Sequence, residues 1–213
     1  MKGCVSNKNE SIRLFQNPVL EYFSHIHPAT PLIVFVPVIL IFAYLSVTHV
    51  AQATLLLWFS GVLFWTLLEY AMHRWAFHYE PSSKTGKRLH FLAHGVHHDY
   101  PRDATRLVMP LLVSVPLALF FYGLFKLVFQ SYHEGLYAGF VTGYVIYDCL
   151  HYAFHHFSGK NRLFAWLKVY HLKHHYSDPQ TGYGVSNPLW DFVFRTTPIA
   201  ISEDKLAEWS KAA

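Results

Sequence analysis

The sequence predicts an all-α integral membrane protein, with four transmembrane helices and a cytoplasmic cap of histidine-rich helices. Three observations lead to this class. The 213 residues are 53% hydrophobic but only 14% charged, whereas soluble domains are about a quarter charged. Four long apolar runs contain at most one charged residue each. Sixteen histidines outnumber thirteen carboxylates, and such an excess in an apolar chain requires a chemical explanation.

Composition also excludes several other classes. The two cysteines, Cys4 and Cys149, are too few for a disulfide framework or a thiolate metal site. An aromatic content of 18% argues against a disordered chain. Residues 1–30 are polar and lack the short apolar core of a cleavable signal peptide. We therefore predict that residues 1–30 form a cytoplasmic N-terminal segment and that residues 31–213 form one membrane-embedded domain.

The first two spans are predicted at about residues 31–50 and 53–72. Twenty helical residues rise about 30 Å, which matches the hydrocarbon core of a bilayer. Only two residues separate the runs, so they should form a hairpin. The third span is predicted at 107–129, where Lys126 lies close enough to the end to reach the headgroups. The fourth, at 135–150, is shorter and richer in Gly and Tyr, which favours a position inside the bundle.

The basic residues predict the orientation of these spans. Three precede the first span, six lie between Arg74 and Arg106, seven lie between Lys160 and Lys211, and Lys126 is the last of the seventeen. The short connections after the first and third spans contain none. The positive-inside rule therefore places both termini and the long middle loop in the cytoplasm. Orientation explains the net charge of +4, so no nucleic-acid partner is expected.

Ten histidines are clustered in a way that predicts a dinuclear metal site in the cap. Residues three or four apart share a helix face, so the rings within each cluster should converge. His73 and His78 are five apart, about 140° around a regular helix, and would serve two metals or need a helix that ends between them. One ion cannot use ten ligands, but two ions can. The predicted ligands are His73, His78, His94, His97, His98, His151, His155, His171, His174 and His175.

Neutral imidazoles leave the charge of two cations uncompensated, so carboxylates should hold the remaining ring N–H groups. Glu69 lies four residues before His73, and Asp148 lies three before His151. Histidines 90 and 156 are predicted as neighbours able to substitute for a ligand or to hydrogen-bond to one. The isolated histidines His25, His27, His49 and His133 are expected to be structural.

Three further segments carry weaker predictions. Residues 161–170 are typical of a helix lying in the membrane interface, as an anchor rather than a gate. Gly182 to Gly184, with Pro188, predict either a lid near the metals or a plain capping loop. Asp99 and Asp103 are expected in a solvated loop.

The histidine motifs HRWAFH (73–78), HGVHH (94–98), HYAFHH (151–156) and HLKHH (171–175) resemble those of the fatty acid hydroxylase and sterol desaturase superfamily. The segment GYGVSNPLWDFVFRT (182–196) is also similar to the ending of that family. The resemblance covers roughly residues 69–197 and is strongest to the fatty acid 2-hydroxylases. It implies that the ten clustered histidines bind two metals, with His90 and His156 as neighbours and no catalytic group beyond the metal centre.

The resemblance also implies an activity and its requirements. Two iron ions would use O₂ as co-substrate to add a hydroxyl to carbon 2 of a long-chain acyl group, in sphingolipids such as ceramide or in other membrane lipids. Zinc can occupy such a site in purified protein. Some relatives carry a cytochrome b5 domain, and only about thirty residues precede the first span here. Electrons would come from a separate donor, such as cytochrome b5 or ferredoxin with its reductase. The expected membrane is the endoplasmic reticulum or a bacterial inner membrane.

Two other kinds of function stay open. Other members of the superfamily hydroxylate sterols, sphingoid bases or carotenoids, or introduce double bonds, and only product analysis separates these reactions. A metal transporter or metal-binding membrane scaffold is a different class. A transporter would place ligands near the middle of the bilayer, whereas the histidines here are predicted at one membrane surface.

Overall fold

The computed structural model describes residues 5–6 and 8–198, and this part of the chain is all-helical, as predicted, with no strand. Lys2, Cys4, Lys205 and Lys211 lie outside the described residues, as does the end of the predicted domain. The α-helices are α1 (Pro18–Phe23), α2 (Thr30–Val50), α3 (Thr54–Ala71), α4 (Lys84–His90), α5 (Val96–Asp99), α6 (Leu111–Phe129), α7 (His133–His156), α8 (Arg162–Tyr176) and α9 (Leu189–Phe194).

Two helical stretches are long and apolar enough to cross a membrane by length and composition, Thr30–Phe77 and Leu111–His156. The first is interrupted at Val50, whose φ of −142° and ψ of 49° are not helical. Ser46 Oγ lies 3.0 Å from Thr54 Oγ1, although eight residues of straight helix would separate them by about 12 Å. The chain therefore turns back between α2 and α3, as the sequence predicts.

The second stretch turns at Gln130, which has a φ of 46°. The rings of Tyr122 and Tyr137, on either side of the turn, have centroids 5.4 Å apart, so α6 and α7 form a second hairpin. The four long helices contain 18 to 24 residues, or about 27 to 36 Å of rise. That each crosses the membrane, with the cap in the cytoplasm, stays a prediction.

The ends of two helices differ from those predicted. Helix α6 begins at Leu111 rather than at residue 107, because Pro110 disfavours a helical conformation at the residue before it and caps the helix itself. Helix α7 runs from His133 to His156 rather than from 135 to 150. Apolarity marks only the part of a helix that avoids polar residues, whereas this helix continues through His151 and His155.

Helix α7 is the centre of the bundle and packs against α2, α3 and α6. Glycines on α7 and on the facing α3 allow the two helices to approach closely, which agrees with the interior position predicted for α7. A Cβ on Gly139 would lie 1.9 Å from Trp58 O, and a Cβ on Gly61 would lie 2.1 Å from Leu136 O. Helices α3 and α7 therefore meet backbone to backbone. Many leucines of α2, α3 and α6 face outward instead, including Leu40, Leu55 and Leu127.

We expect Gly139→Val to destabilise the bundle by several kcal/mol, because the new side chain would overlap the backbone of α3, and even milder overpacking costs about 1–3 kcal/mol. Thermal unfolding in detergent would measure the change. Gly123→Val is the matched control, since a Cβ at Gly123 has nothing within 4 Å. Equal unfolding midpoints for the two variants would contradict the close crossing.

The hairpins position the histidines at one end of the bundle. Helices α3 and α7 both end there; α3 leads directly into a histidine motif, and α7 carries one in its last turns. Helix α8 covers the same end. Asn161 caps α8 by accepting hydrogen bonds from Leu163 N at 2.9 Å and Phe164 N at 3.1 Å. This helix extends beyond the predicted 161–170 segment to Tyr176, so it carries the last histidine motif as well as the amphipathic segment.

Candidate metal centre

The structure brings the ten predicted histidines together in two groups of five. Within each group, one ring nitrogen from every histidine lies within 4.8 Å of the others. We call them the first and second groups. The first group contains His73, His78, His94, His98 and His174, and the second contains His97, His151, His155, His171 and His175.

His73 and His78 reach the same group through a π-helix. Residues Met72–Phe77 are wound as a π-helix, and His78 N donates to His73 O at 3.2 Å. Because a π-helix pairs residues five apart, it places both rings on one face. Of the two solutions considered from the sequence, separate metals are not used, whereas a helix does end between the two residues, because the π-helix ends at Phe77.

Helices α5 and α8 each supply both groups. The pair His171 and His175, four apart on α8, joins the second group, whereas His174 between them joins the first. His97 likewise leaves His94 and His98 for the second group. The expectation that each cluster aims at one point is therefore wrong. On an α-helix, two side chains three residues apart point in directions about 60° apart around the helix axis. This difference is enough to turn the ring of the second residue towards the adjacent group.

The ring nitrogens are spaced as metal ligands would be. Neighbouring Nε2 atoms lie 2.8 Å apart for His151 and His97, 3.0 Å for His175 and His171, and 3.2 Å for His78 and His73. Two nitrogens bound at about 2.1 Å and at right angles to each other are about 3.0 Å apart, and in a tetrahedron about 3.4 Å. The spacing therefore fits ligands of a metal with more than four coordination positions.

Burial keeps these rings neutral. His94, His97 and His174 are buried, and burial lowers the pKa of each well below the usual 6.5. Neighbouring imidazoles lower these pKa values further, since two adjacent positive rings would repel. At neutral pH the rings thus offer lone pairs, the form that binds a metal.

Two rings of the first group are oriented by backbone carbonyls. His73 Nδ1 donates to Tyr183 O at 2.6 Å, and His174 Nδ1 donates to Thr181 O at 2.8 Å. A proton on Nδ1 leaves the Nε2 lone pair free to face the group. The Tyr183 carbonyl belongs to the segment predicted as a lid or capping loop, and Thr181 directly precedes that segment, so the segment forms an outer layer of the site.

The two carboxylates predicted to accept hydrogen bonds from histidine rings, those of Glu69 and Asp148, accept from backbone N–H groups instead. Glu69 is buried, but its oxygens accept hydrogen bonds from Val185 N at 2.7 Å and from Ser186 N and Oγ at 2.7 and 2.6 Å. Asp148 Oδ2 accepts from Met109 N at 3.3 Å. Neither carboxylate hydrogen-bonds to a histidine among the described residues, and their role as outer partners of the ligands stays a prediction.

The other predicted neighbours lie beside the centre, outside both groups. His156 stacks on Tyr152 with centroids 4.3 Å apart, and His90 closes α4 next to the second motif. Among the isolated histidines, His49 pairs with Glu134 at 2.7 Å, far from the centre. Asp103 is buried and pairs with Arg106 at 3.4 Å, so its assignment to a solvated loop is wrong.

Sequence reasoning missed Asp191. This carboxylate is fully buried and accepts hydrogen bonds from Tyr183 N at 3.0 Å, Gly184 N at 2.8 Å and Thr196 Oγ1 at 2.7 Å. A carboxylate amid the apolar side chains of α9 was the available signal, because an isolated buried charge is costly unless it is hydrogen-bonded.

A bundle of long apolar helices with two five-histidine groups at one end defines a class of protein, the helical bundles with histidine-rich sites that could hold metal. Comparison with known proteins gives the family. The chain belongs to the fatty acid hydroxylase family, whose sequence profile matches residues 58–196.

Individual relatives agree with this assignment. The dihydroceramide fatty acyl 2-hydroxylase FAH2 of Arabidopsis thaliana is 42% identical over 139 residues, covering 65% of this chain and 59% of the relative. The fatty acid 2-hydroxylase of Rattus norvegicus is 34% identical over 209 residues, covering 87% and 56%. A solved structure of full-length scs7p, in which only the hydroxylase domain is visible, aligns with a TM-score of 0.82 and 35% identity over 89% of this chain and 74% of that one. The chain thus spans somewhat more than half the length of the two curated relatives.

Proposed function

We propose that the protein is an O₂-dependent dimetal hydroxylase that adds a hydroxyl to carbon 2 of long-chain acyl groups in membrane lipids such as ceramide. The observation that carries this proposal is the convergence of ten histidines, eight of them buried, into two groups of five. The names of the relatives, which are fatty acid and dihydroceramide fatty acyl 2-hydroxylases, support the substrate class and the position of the hydroxyl.

The ten clustered histidines would hold the two metal ions. Iron, when bound, supplies the redox chemistry that activates O₂ for attack on a C–H bond, which zinc cannot supply. The neutral, close-packed rings would bind zinc as readily, so purified protein can carry zinc in place of iron. The reaction also consumes electrons, and these require a redox donor.

An apolar cavity beside the centre supports an acyl substrate. Two adjoining narrow pockets, with about 30 and 10 Å³ of free space, share Trp65, Met109 and Leu117, and an acyl chain would have to displace their side chains to enter. The larger is also lined by Phe77 and Tyr147. Phe77 stacks on His94 of the first group with centroids 5.1 Å apart, and the Tyr147 ring lies 5.6 Å from that of His151 in the second. The cavity therefore begins beside both groups.

The smaller pocket continues along α6 and α7 to Ala118, Phe140 and Val141. An acyl chain lying along this path would keep carbon 2 near the histidines while its tail is held by apolar side chains. Such a lining excludes water from the reacting carbon and orients the chain by shape alone. The outward-facing leucines support a lipid environment around these helices, from which the substrate would enter.

The proposed location follows the charge distribution of the sequence. We place all four long helices across the membrane and the histidine groups at the cytoplasmic surface, in the endoplasmic reticulum or in a bacterial inner membrane. A redox donor such as cytochrome b5, or ferredoxin with its reductase, would reach the groups from that side.

Product analysis tests the function directly. The protein is expressed in a yeast strain that lacks its own ceramide hydroxylase, and extracted lipids are hydrolysed and analysed by mass spectrometry. We expect 2-hydroxy fatty acids to appear. Hydroxylated sterols or carotenoids, or new double bonds, without 2-hydroxy acids would replace this proposal by another reaction of the superfamily.

We expect Leu117→Trp to reduce the yield of 2-hydroxy acids at least about tenfold, because an indole would fill space shared by both pockets. The loss of a near-attack geometry commonly costs this much or more. Lipid analysis and the metal content per chain are measured together, and the metal content should not change. Leu119→Trp is the matched control, because Leu119 is on the same helix but exposed. Full activity of the Leu117→Trp variant would show that the substrate does not occupy this cavity.

A further inference from the structure

The 181–187 loop connects two buried carboxylates to the first group. Asp191 Oδ2 accepts from Gly184 N, and Glu69 Oε1 accepts from Val185 N and Ser186 N. Two carbonyls of the same loop, those of Thr181 and Tyr183, accept from ring nitrogens of the first group. The loop is thus fixed from one side by carboxyl groups, and it contacts the histidines on the other.

One peptide unit links Asp191 to His73. The Tyr183 carbonyl and the Gly184 N–H belong to the same amide; the carbonyl accepts from His73 Nδ1 at 2.6 Å, and the N–H donates to Asp191 Oδ2 at 2.8 Å. Hydrogen bonds in such a chain polarise each other. The carboxylate therefore strengthens the carbonyl as an acceptor, much as a carboxylate in direct contact with a metal-bound histidine does.

A second, longer chain reaches His174. Its Nδ1 donates to Thr181 O, and the N–H of that same amide, on Gly182, donates to Thr196 O at 2.7 Å. Thr196 Oγ1 donates in turn to Asp191 Oδ1 at 2.7 Å. Gly182 has a φ of +72°, a conformation that suits glycine, so this turn of the loop is specified by the sequence.

We propose that Asp191, with Glu69 holding the adjoining residues, is a positioning residue for the first group alone, acting through the peptide units of the 181–187 loop. The inference rests on the proposed metal-binding role of the histidines but not on the reaction they perform. Both carboxylates are buried and hydrogen-bonded, and the two chains that start at Asp191 end at His73 and His174, which are both in the first group. The two metal sites are therefore unequal, and the first depends on the loop.

Release of cobalt(II) tests the inference without an activity assay. Metal-free protein in detergent is loaded with cobalt(II), and its release to a chelator is followed by absorbance. Two phases are expected, of which His78→Ala removes one and His155→Ala the other. Asp191→Asn, which keeps the shape of the side chain but removes its charge, should accelerate the His78-dependent phase at least about tenfold, as loss of such outer partners usually does. The other phase should stay within twofold.

Matched variants separate positioning from damage to the fold. Asp178→Asn changes a carboxylate of the adjoining turn whose Oδ1 accepts from Gln180 N at 2.9 Å, and it should release cobalt as the wild type does. If Asp191→Asn does not fold, Thr196→Val tests the same chain by removing the hydroxyl that donates to Asp191. Thr196→Ser should restore the wild-type rate.

The possible outcomes are distinct. A single release phase in the wild type, equal acceleration of both phases, or no acceleration in a folded Asp191→Asn variant overturns the inference. A protein that shows the selective acceleration but makes no 2-hydroxy acids refutes the proposed function and leaves this inference in place.

Discussion

His151→Ala and His174→Ala should each lower the yield of 2-hydroxy acids by more than about 100-fold. The two residues belong to different groups, and each is among the most buried side chains of the described chain. Removing a ligand should cost more than removing an outer hydrogen-bond partner, which commonly costs 10–100-fold. Lipid mass spectrometry of the complemented yeast strain measures the yield, and elemental analysis measures the metal bound per chain.

His49→Ala is the control for this experiment. His49 lies at the end of α2 remote from the groups and pairs with Glu134. It should keep both activity and metal. An active His151→Ala or His174→Ala variant would show that the two groups do not act together, and the dimetal hydroxylase would be refuted.

The metal-free protein should lose stability steeply as the pH falls from about 7.5 to 5.5. Burial lowers the pKa of His98 to about 3, and it lowers those of His94, His97, His171 and His175 well below 6.5. Below pH 6.5 the unfolded chain therefore binds protons that the folded chain does not, so acid favours unfolding. Each histidine can contribute up to about 1.4 kcal/mol per pH unit.

Thermal unfolding of the metal-free protein in detergent, measured across this pH range, checks the prediction. His98→Asn removes one of these groups and should make the dependence shallower. Bound metal should raise the unfolding midpoint at neutral pH, because only the folded chain offers the grouped ligands. A midpoint that does not change between pH 7.5 and 5.5 would show that protons reach these rings in the folded protein.

Sequence patterns were sufficient for the four long helices, apart from the ends of two of them, and for which histidines come together, because both follow from local periodicity. Long apolar runs and histidines at helical spacing are read directly from neighbouring residues. The partition into two groups was not predictable in this way. His97 and His174 leave the other residues of their motifs because of how α5 and α8 face α3 and α7, and that is a property of packing.

The outer contacts were beyond local reasoning for a similar reason. Helical spacing suggested that Glu69 and Asp148 would contact histidines, but spacing gives only the side of a helix on which a residue lies. The nearest acceptor for His73 comes from Tyr183, more than a hundred residues later in the chain. Likewise, the π-helix at Met72–Phe77 places residues five apart on one face, whereas an α-helix does so for residues three or four apart. No glycine, proline or other turn residue in the sequence indicates this change.

The partition of adjacent histidines has a mechanical consequence. His97 and His98 are consecutive, as are His174 and His175, and in both pairs one ring belongs to each group. Consecutive Cα atoms are fixed 3.8 Å apart, so two covalent links of constant length span the gap between the groups. The distance between two bound ions would then be limited by the polypeptide to the range that rotation of these four side chains allows.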